Sequence, residues 1–356
     1  MDPQSERRAW LALASVVGVG PRTCGALVRA LHGIEGVMRA SRAQLAAVSG
    51  VGRVRTEAIV RGLASADPAA LEREAAAVGS RIVTPVDDGY PSAVRAASDP
   101  PPALWVRGTL PPPDRPAVAV VGTRGASAYG LRIAHGIAEG LARAGVVVVS
   151  GLARGIDAAA HGGALAGGGP TVGVLGCGVD VVYPPEHTGL VAEVVANGAV
   201  LSEHPPGTSP LQGHFPRRNR IVATLSQATV VVEAGLTSGA LNTARSALHE
   251  GRDVLAVPGY VDRDVHAGCH LLLREGASLC EGVDDVLRVL EGAAAAGAGA
   301  APPPVRGPRR RRGRSWSCGT RSTAARFSTS TRSCASRASR RTRSPRRSPR
   351  SSSRRA

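Results

Sequence analysis

Arginine recurs in this sequence at one kind of place. After the apolar run Ala117–Val121 stands Gly122-Thr123-Arg124-Gly125-Ala126-Ser127. After a second run ending at Ser150 stands Gly151-Leu152-Ala153-Arg154-Gly155-Ile156-Asp157. Each offers glycine-freed backbone N–H groups at the start of a helix with a guanidinium beside them, a combination suited to a phosphate. The bland alternative is a tight turn carrying a surface Arg. A third cluster, His214-Phe215-Pro216-Arg217-Arg218-Asn219-Arg220, adds an aromatic ring to three cations. Cations that neutralise phosphates beside a ring that stacks a base form the pairing used to hold single-stranded nucleic acid. Its alternative is a solvated helix start with Phe215 in the core. Ser238-Gly239 opens one more polar turn.

Other chemistries lack their residues. The chain contains no lysine, so all 44 basic residues are Arg. That excludes lysine Schiff bases and a phosphate loop built on lysine. The turn at Gly122 does not keep the G-x-G-x-x-G spacing, and Ser150-Gly151 stands where a ribose-binding acid would follow. We therefore expect no nicotinamide dinucleotide, no other cofactor and no metal. Cys177 has no base beside it and reads as a small buried residue. Asp157 and His161 are four apart on one helix and read as a structural pair. The six Cys show no C-x-x-C spacing and no secretory leader is visible, so reduced thiols and a cytoplasmic location are expected. The longest apolar runs, such as Val146–Val149, are too short to span a bilayer, and no membrane partner is expected.

The elements that must position these residues follow from periodicity. Over 117–290, apolar runs at Ala117–Val121, Val146–Ser150, Thr171–Leu175, Ala199–Ser202, Thr229–Val232 and Asp253–Val257 alternate with helical stretches near 129–143, 156–166, 187–196, 217–225 and 239–250. This predicts an α/β, Rossmann-like, doubly wound parallel sheet covered on both faces, with its site at the carboxyl ends of the strands. Residues 1–65 repeat Val17-Gly18-Val19-Gly20 as Gly50-Val51-Gly52, each before an amphipathic pattern. That resembles a pair of helix-hairpin-helix motifs in a small all-α (SAM-like) domain. Residues 66–116, with proline triplets at 100–102 and 111–113, read as a connector.

Charge divides the chain unequally. Residues 306–356 hold 18 Arg and no acid, while the rest holds 26 Arg and all 27 acids. The formal net charge of +17 therefore belongs to the tail, and the preceding 305 residues carry −1. Residues 291–356 read as an Ala/Gly/Pro linker and a disordered Arg/Ser-rich tail. Two origins fit that tail: a basic arm for nucleic acid, or out-of-frame translation of a GC-rich gene.

Seven ordered motifs resemble the DprA/Smf family of DNA-processing proteins of natural transformation: GTRGASAYG (122–130), SGLARGIDAAAH (150–161), GCGVDVVYPPEH (176–187), SEHPPGT (202–208), FPRRNRIVATLS (215–226), SGALNTA (238–244) and AVPG (256–259). The resemblance covers about 82–285. It implies sequence-independent binding of single-stranded DNA, loading of the RecA recombinase, displacement of single-strand-binding protein, and a homodimer. It implies a DNA site at Gly122, Thr123, Arg124, Ser127, Gly151, Arg154, Gly155, Phe215, Arg217, Arg218, Asn219, Arg220, Ser238 and Gly239, with no catalytic residue. Gln212 falls where some relatives are basic. Val265, His266, Leu271 and Leu272 lie in the stretch resembling the dimer-forming segment. Many members continue into a winged-helix-like domain where this chain has its Arg/Ser tail. Two other functions remain open from sequence: a phosphoribohydrolase-like nucleotide hydrolase using Glu233 as its acid, and a recombinase scaffold that binds no DNA.

Overall fold

The computed structural model describes residues 1–297. The chain opens with α1 (Pro3–Ala14), α2 (Pro21–Ala30), α3 (Ile34–Arg39), α4 (Arg42–Ala47), α5 (Gly52–Ala64) and α6 (Pro68–Ala77). Then follow β1 (Arg81–Val83), α7 (Ser92–Arg95), β2 (Leu104–Gly108), β3 (Ala117–Val121), α8 (Ala128–Arg143), β4 (Val147–Ser150), α9 (Ile156–Ala166) and β5 (Thr171–Leu175). The remainder is α10 (Thr188–Asn197), β6 (Ala199–Ser202), α11 (His214–Thr224), β7 (Ala228–Val231), α12 (Ala240–His249), β8 (Asp253–Ala256), α13 (Ala267–Arg274), β9 (Ser278–Leu279) and α14 (Val283–Gly297).

The strands form one sheet in the order β1-β2-β6-β5-β4-β3-β7-β8-β9. All pairings from β6 to β9 are parallel. Alternation along each strand divides the core between two faces. Ala119 and Val121 of β3 pack with Val147, Val149, Ile221, Leu241 and Leu272 on one side. Val118 and Val120 pack with Val148, Val230, Ile137, Leu141 and Ile156 on the other. Because both faces are covered, the strands are apolar at consecutive positions and not at every second one. The chain runs outward from β3 to β6, then returns to place β7 on the far side of β3. That reversal opens a crevice beyond the carboxyl ends of β3, β4 and β7, where open α/β sheets bind ligands.

Residues 66–116 correct the expectation of a connector. Asp67 caps α6 by accepting from the Ala70 N–H, with Pro68 at the first helical position. β1 and β2 join the sheet as antiparallel strands, with Ile82 opposite Trp105 and Val106 opposite Leu201. The proline triplets flank β2 without entering it, so they bound the strand and do not prevent it. Leu11 of α1, Ala75 of α6, Ile82 and Trp105 share one buried cluster, which seats the helical segment on the sheet edge. The repeated glycine turns are hairpins: Gly18 (φ +87°) joins α1 to α2, and Gly50 (φ +81°) joins α4 to α5. The expected linker starts later than 291 because α14 continues through its alanines, the strongest helix formers, to Gly297. The Arg/Ser tail lies outside the described residues. Among the described residues, no helix is long and apolar enough to cross a membrane.

Candidate nucleic-acid interface

A cavity of about 690 Å³ opens at the crevice. The turn after β3 contributes Gly122, Thr123 and Arg124; the turn after β4 contributes Gly151 and Ala153; the turn after β7 contributes Thr237, Ser238 and Gly239. Helix α11 closes it with Phe215, Arg218 and Asn219. Both α11 and α12 start on glycine, Gly213 and Gly239; the Ala240 N–H of α12 donates to Ser238 Oγ at 3.3 Å, and the His214 N–H of α11 donates to the Leu211 carbonyl at 2.9 Å. The two helix starts carry about half a positive charge each, so the rim favours an anion.

Arg124 is exposed, and its guanidinium lies over the Phe215 ring at 5.1 Å from the centroid. Tyr183 packs against the same ring at 5.5 Å with a 38° tilt. The three make a graded stack of Tyr183, Phe215 and Arg124. Phe215 is half-buried, so it is neither the fully exposed platform nor the core residue weighed from sequence. A planar base can extend this stack on the guanidinium face while a phosphate meets the same cation. Tyr183 went unassigned in the sequence because it lies in the loop after β5, more than thirty positions from Phe215. Only the fold brings the two rings together.

Arg218 is 3 % exposed. It donates to the carbonyls of Gly151 and Val174 and forms the cavity floor. Burial pulls its guanidinium below the usual range, with Asp157 partly offsetting that. Burial likewise pushes the Asp157 carboxyl up, against Arg218 and the N–H groups of Ala153 and Gly151. Arg218 therefore holds the β4 turn in shape and is not a mobile phosphate clamp. A Cβ at residue 151 would collide with its guanidinium, which is why glycine stands there.

Other expected site residues fall elsewhere. Ser127 caps α8, its hydroxyl accepting from the Gly130 N–H at 3.1 Å. Arg154 is turned away and paired with Glu186. Gly155, at φ +74°, lies where a Cβ would strike the Thr123 carbonyl, so it shapes the turn and does not line the cavity. Arg217 and Arg220 line a second cavity on the other flank of α11, and Arg220 is bound to Glu203 and Asp99. The spacing of 3.6 residues per turn explains the split, since residues 215, 218, 219 and 222 share one face and 217 and 220 another. Asp157 and His161 do not pair: His161 Nδ1 bonds Thr171 Oγ1 at 2.7 Å. Burial takes His161 down to about 3. Cys177 is buried as expected, and desolvation pushes its thiol up to about 11.

Glu233 is wholly buried. It accepts from the Ser127 N–H at 2.8 Å and lies 3.6 Å from His266 Nε2. Of the residues in the dimer-like stretch, His266 (2 % exposed) and Leu272 (4 %) belong to the core, which corrects their reading as interface residues. Leu271 is half-buried, and Val265 borders the cavity. Cys24, Cys177, Cys269 and Cys280 are free and buried. Among the described residues, no group of His, Cys, Asp and Glu is placed to hold a metal ion.

Comparison with known proteins gives two matching family models. Residues 81–291 match the DNA recombination-mediator protein A model, and residues 11–71 match the SAM-like helix-hairpin-helix tandem. The protein Smf of Synechocystis is 38% identical over 279 residues, spanning 77% of this chain and 70% of that one. The X-ray structure of DNA processing protein A from Streptococcus pneumoniae superposes with a TM-score of 0.67 at 35% identity, covering 78% of this chain and 95% of the other. A structure of DNA processing protein A from Helicobacter pylori, described by its single-stranded DNA binding mode, gives a TM-score of 0.53 at 29% identity, covering 60% and 97%.

Proposed function

The chain belongs to the DNA recombination-mediator protein A family, and from that premise we propose that it binds single-stranded DNA without sequence preference in the cavity beyond β3, β4 and β7. The observation that carries this reading is Arg124, in no ion pair among the described residues, stacked on Phe215 at the mouth of a cavity rimmed by two helix starts. Phosphates follow the Gly122–Arg124 and Ser238–Gly239 turns, and a base stacks on the Arg124–Phe215 pair. None of these contacts reads a base edge, which accounts for indifference to sequence. Single-stranded DNA is also the ligand named for the Helicobacter pylori protein.

The finer role we infer is in DNA recombination and natural transformation in the cytoplasm. The protein protects an incoming strand, displaces single-strand-binding protein and loads RecA recombinase, acting as a homodimer. We read it as a binding protein and not an enzyme. Glu233, the acid the hydrolase reading would use, is fully buried, accepts from the Ser127 N–H through Oε2 and does not line the cavity. Replacing Phe215 by Ala tests the stacking term. Equilibrium binding to oligo-dT should weaken by about 1–3 kcal/mol, the range for one stacked base. Unchanged affinity would remove Phe215 from the site.

A further inference from the structure

We propose that a second cavity, between the first helical hairpin and α11, carries the same single strand onward, a proposal that rests on the binding reading above. This cavity of about 1220 Å³ is lined by the Gly18–Arg22 turn, by Trp105, and by the outer face of α11. Pro216 borders both cavities. Only α11, a body about 10 Å across with its side chains, stands between them. A strand leaving the Phe215 stack therefore crosses the first turn of α11 to reach the second cavity.

The lining is built for a sugar-phosphate backbone. Arg22, Arg29, Arg55, Arg217 and Arg245 all line it and are exposed. None of the five forms an ion pair among the described residues, whereas Arg220 beside them is held by Glu203 and Asp99. Asp99, Glu203 and Glu250 line the same surface, so its six arginines still outnumber its acids, and the excess favours an anion there. Helix α2 adds its start: Gly20 caps it without a side chain, and Pro21 has no N–H, so the next amides remain open toward the cavity. Arg22 and Arg55 sit on two different helical hairpins, while Arg217 and Arg245 sit on the sheet-covering helices. The path joins the two parts of the molecule, which gives the hairpin tandem a role that the first cavity does not require.

The test is strand length. In the full chain, Arg22, Arg55 and Arg245 are replaced together by Ala, and separately by Lys, and binding to oligo-dT of about 6 and about 20 nucleotides is followed against salt. The short strand, which fills only the first cavity, should be held equally by the wild type and both variants. The long strand should bind the Ala variant about tenfold to hundredfold more weakly. Its log–log salt slope should flatten by about 2, or ~0.7 for each lost phosphate, and the Lys variant should restore both. Undiminished binding of the long strand by the Ala variant would overturn the proposal. So would equal loss at both lengths, since the three arginines would then act as diffuse charge. Loss confined to a duplex probe would overturn it too, because the cavity would then hold duplex. Wild-type failure to hold either strand would instead overturn the binding reading and this proposal with it. Should the Ala variant not fold, photocrosslinking of a 20-nucleotide bromodeoxyuridine strand to the wild type decides the matter. Adducts within 18–29 are expected, and adducts confined to the first cavity would contradict the path.

Discussion

Arg217, Arg218 and Arg220 stand in one short motif, yet each faces a different environment. Arg217 is exposed on the second cavity, Arg218 is sealed beneath the first, and Arg220 is held by two acids. The motif sets the three side by side in sequence, but their different surroundings follow from which face of α11 packs on the sheet. Replacing Arg218 by Met leaves Asp157 buried without its neighbouring charge and two carbonyls without a donor. We expect a loss of about 3–5 kcal/mol in urea unfolding, against within about 0.5 kcal/mol for Arg217→Ala. Equal effects would contradict the burial assignment. Histidine gives a pH signature at the same scale. Burial lowers His161 to about 3 and, helped by His214, lowers His204 to about 4, against 6.5 in the unfolded chain. Below pH 6.5 the unfolded state takes up protons that the folded state refuses. Stability should thus be flat above about pH 7 and fall as pH drops toward 4. His161 contributes up to about 1.4 kcal/mol per pH unit, and the part-exposed His204 less. His161→Gln should flatten most of that fall; an unchanged pH profile would refute His161 burial as its cause.

At the scale of elements, the strands from β3 to β8 were legible because a doubly covered sheet writes itself as short, continuous β-branched runs. The cavity lies at their carboxyl ends, where a candidate site was expected. β1 and β2 were not legible, since three and five residues between prolines carry too little pattern. Tyr183 stands within one of the seven motifs but had no sequence signal tying it to Phe215. The turn at Gly155 tests how elements hold the site together. Its φ of +74° and the close Thr123 carbonyl exclude a side chain. Gly155→Ala should cost about 1–3 kcal/mol of stability in thermal unfolding. It should also weaken strand binding, because the Thr123–Arg124 turn must shift to make room. Full binding in a destabilised variant would separate this turn from the site.

For the whole molecule, the charge of +17 misleads if spread evenly. The 18 arginines after residue 305 carry it, and the folded body is near neutral. A near-neutral body cannot gather nucleic acid through a long-range field, so its affinity must come from the local cations of the crevice. The tail, by contrast, should bind any polyanion. Removing it isolates the site: the compact unit Met1–Pro302, with and without Arg124→Ala, is titrated with single-stranded and duplex DNA between about 50 and 200 mM salt. We expect this unit to prefer the single strand, and Arg124→Ala to weaken it and lower the salt slope by about 0.7. Equal affinity for both strand forms, or a slope and affinity untouched by Arg124→Ala, would contradict single-strand binding in the crevice.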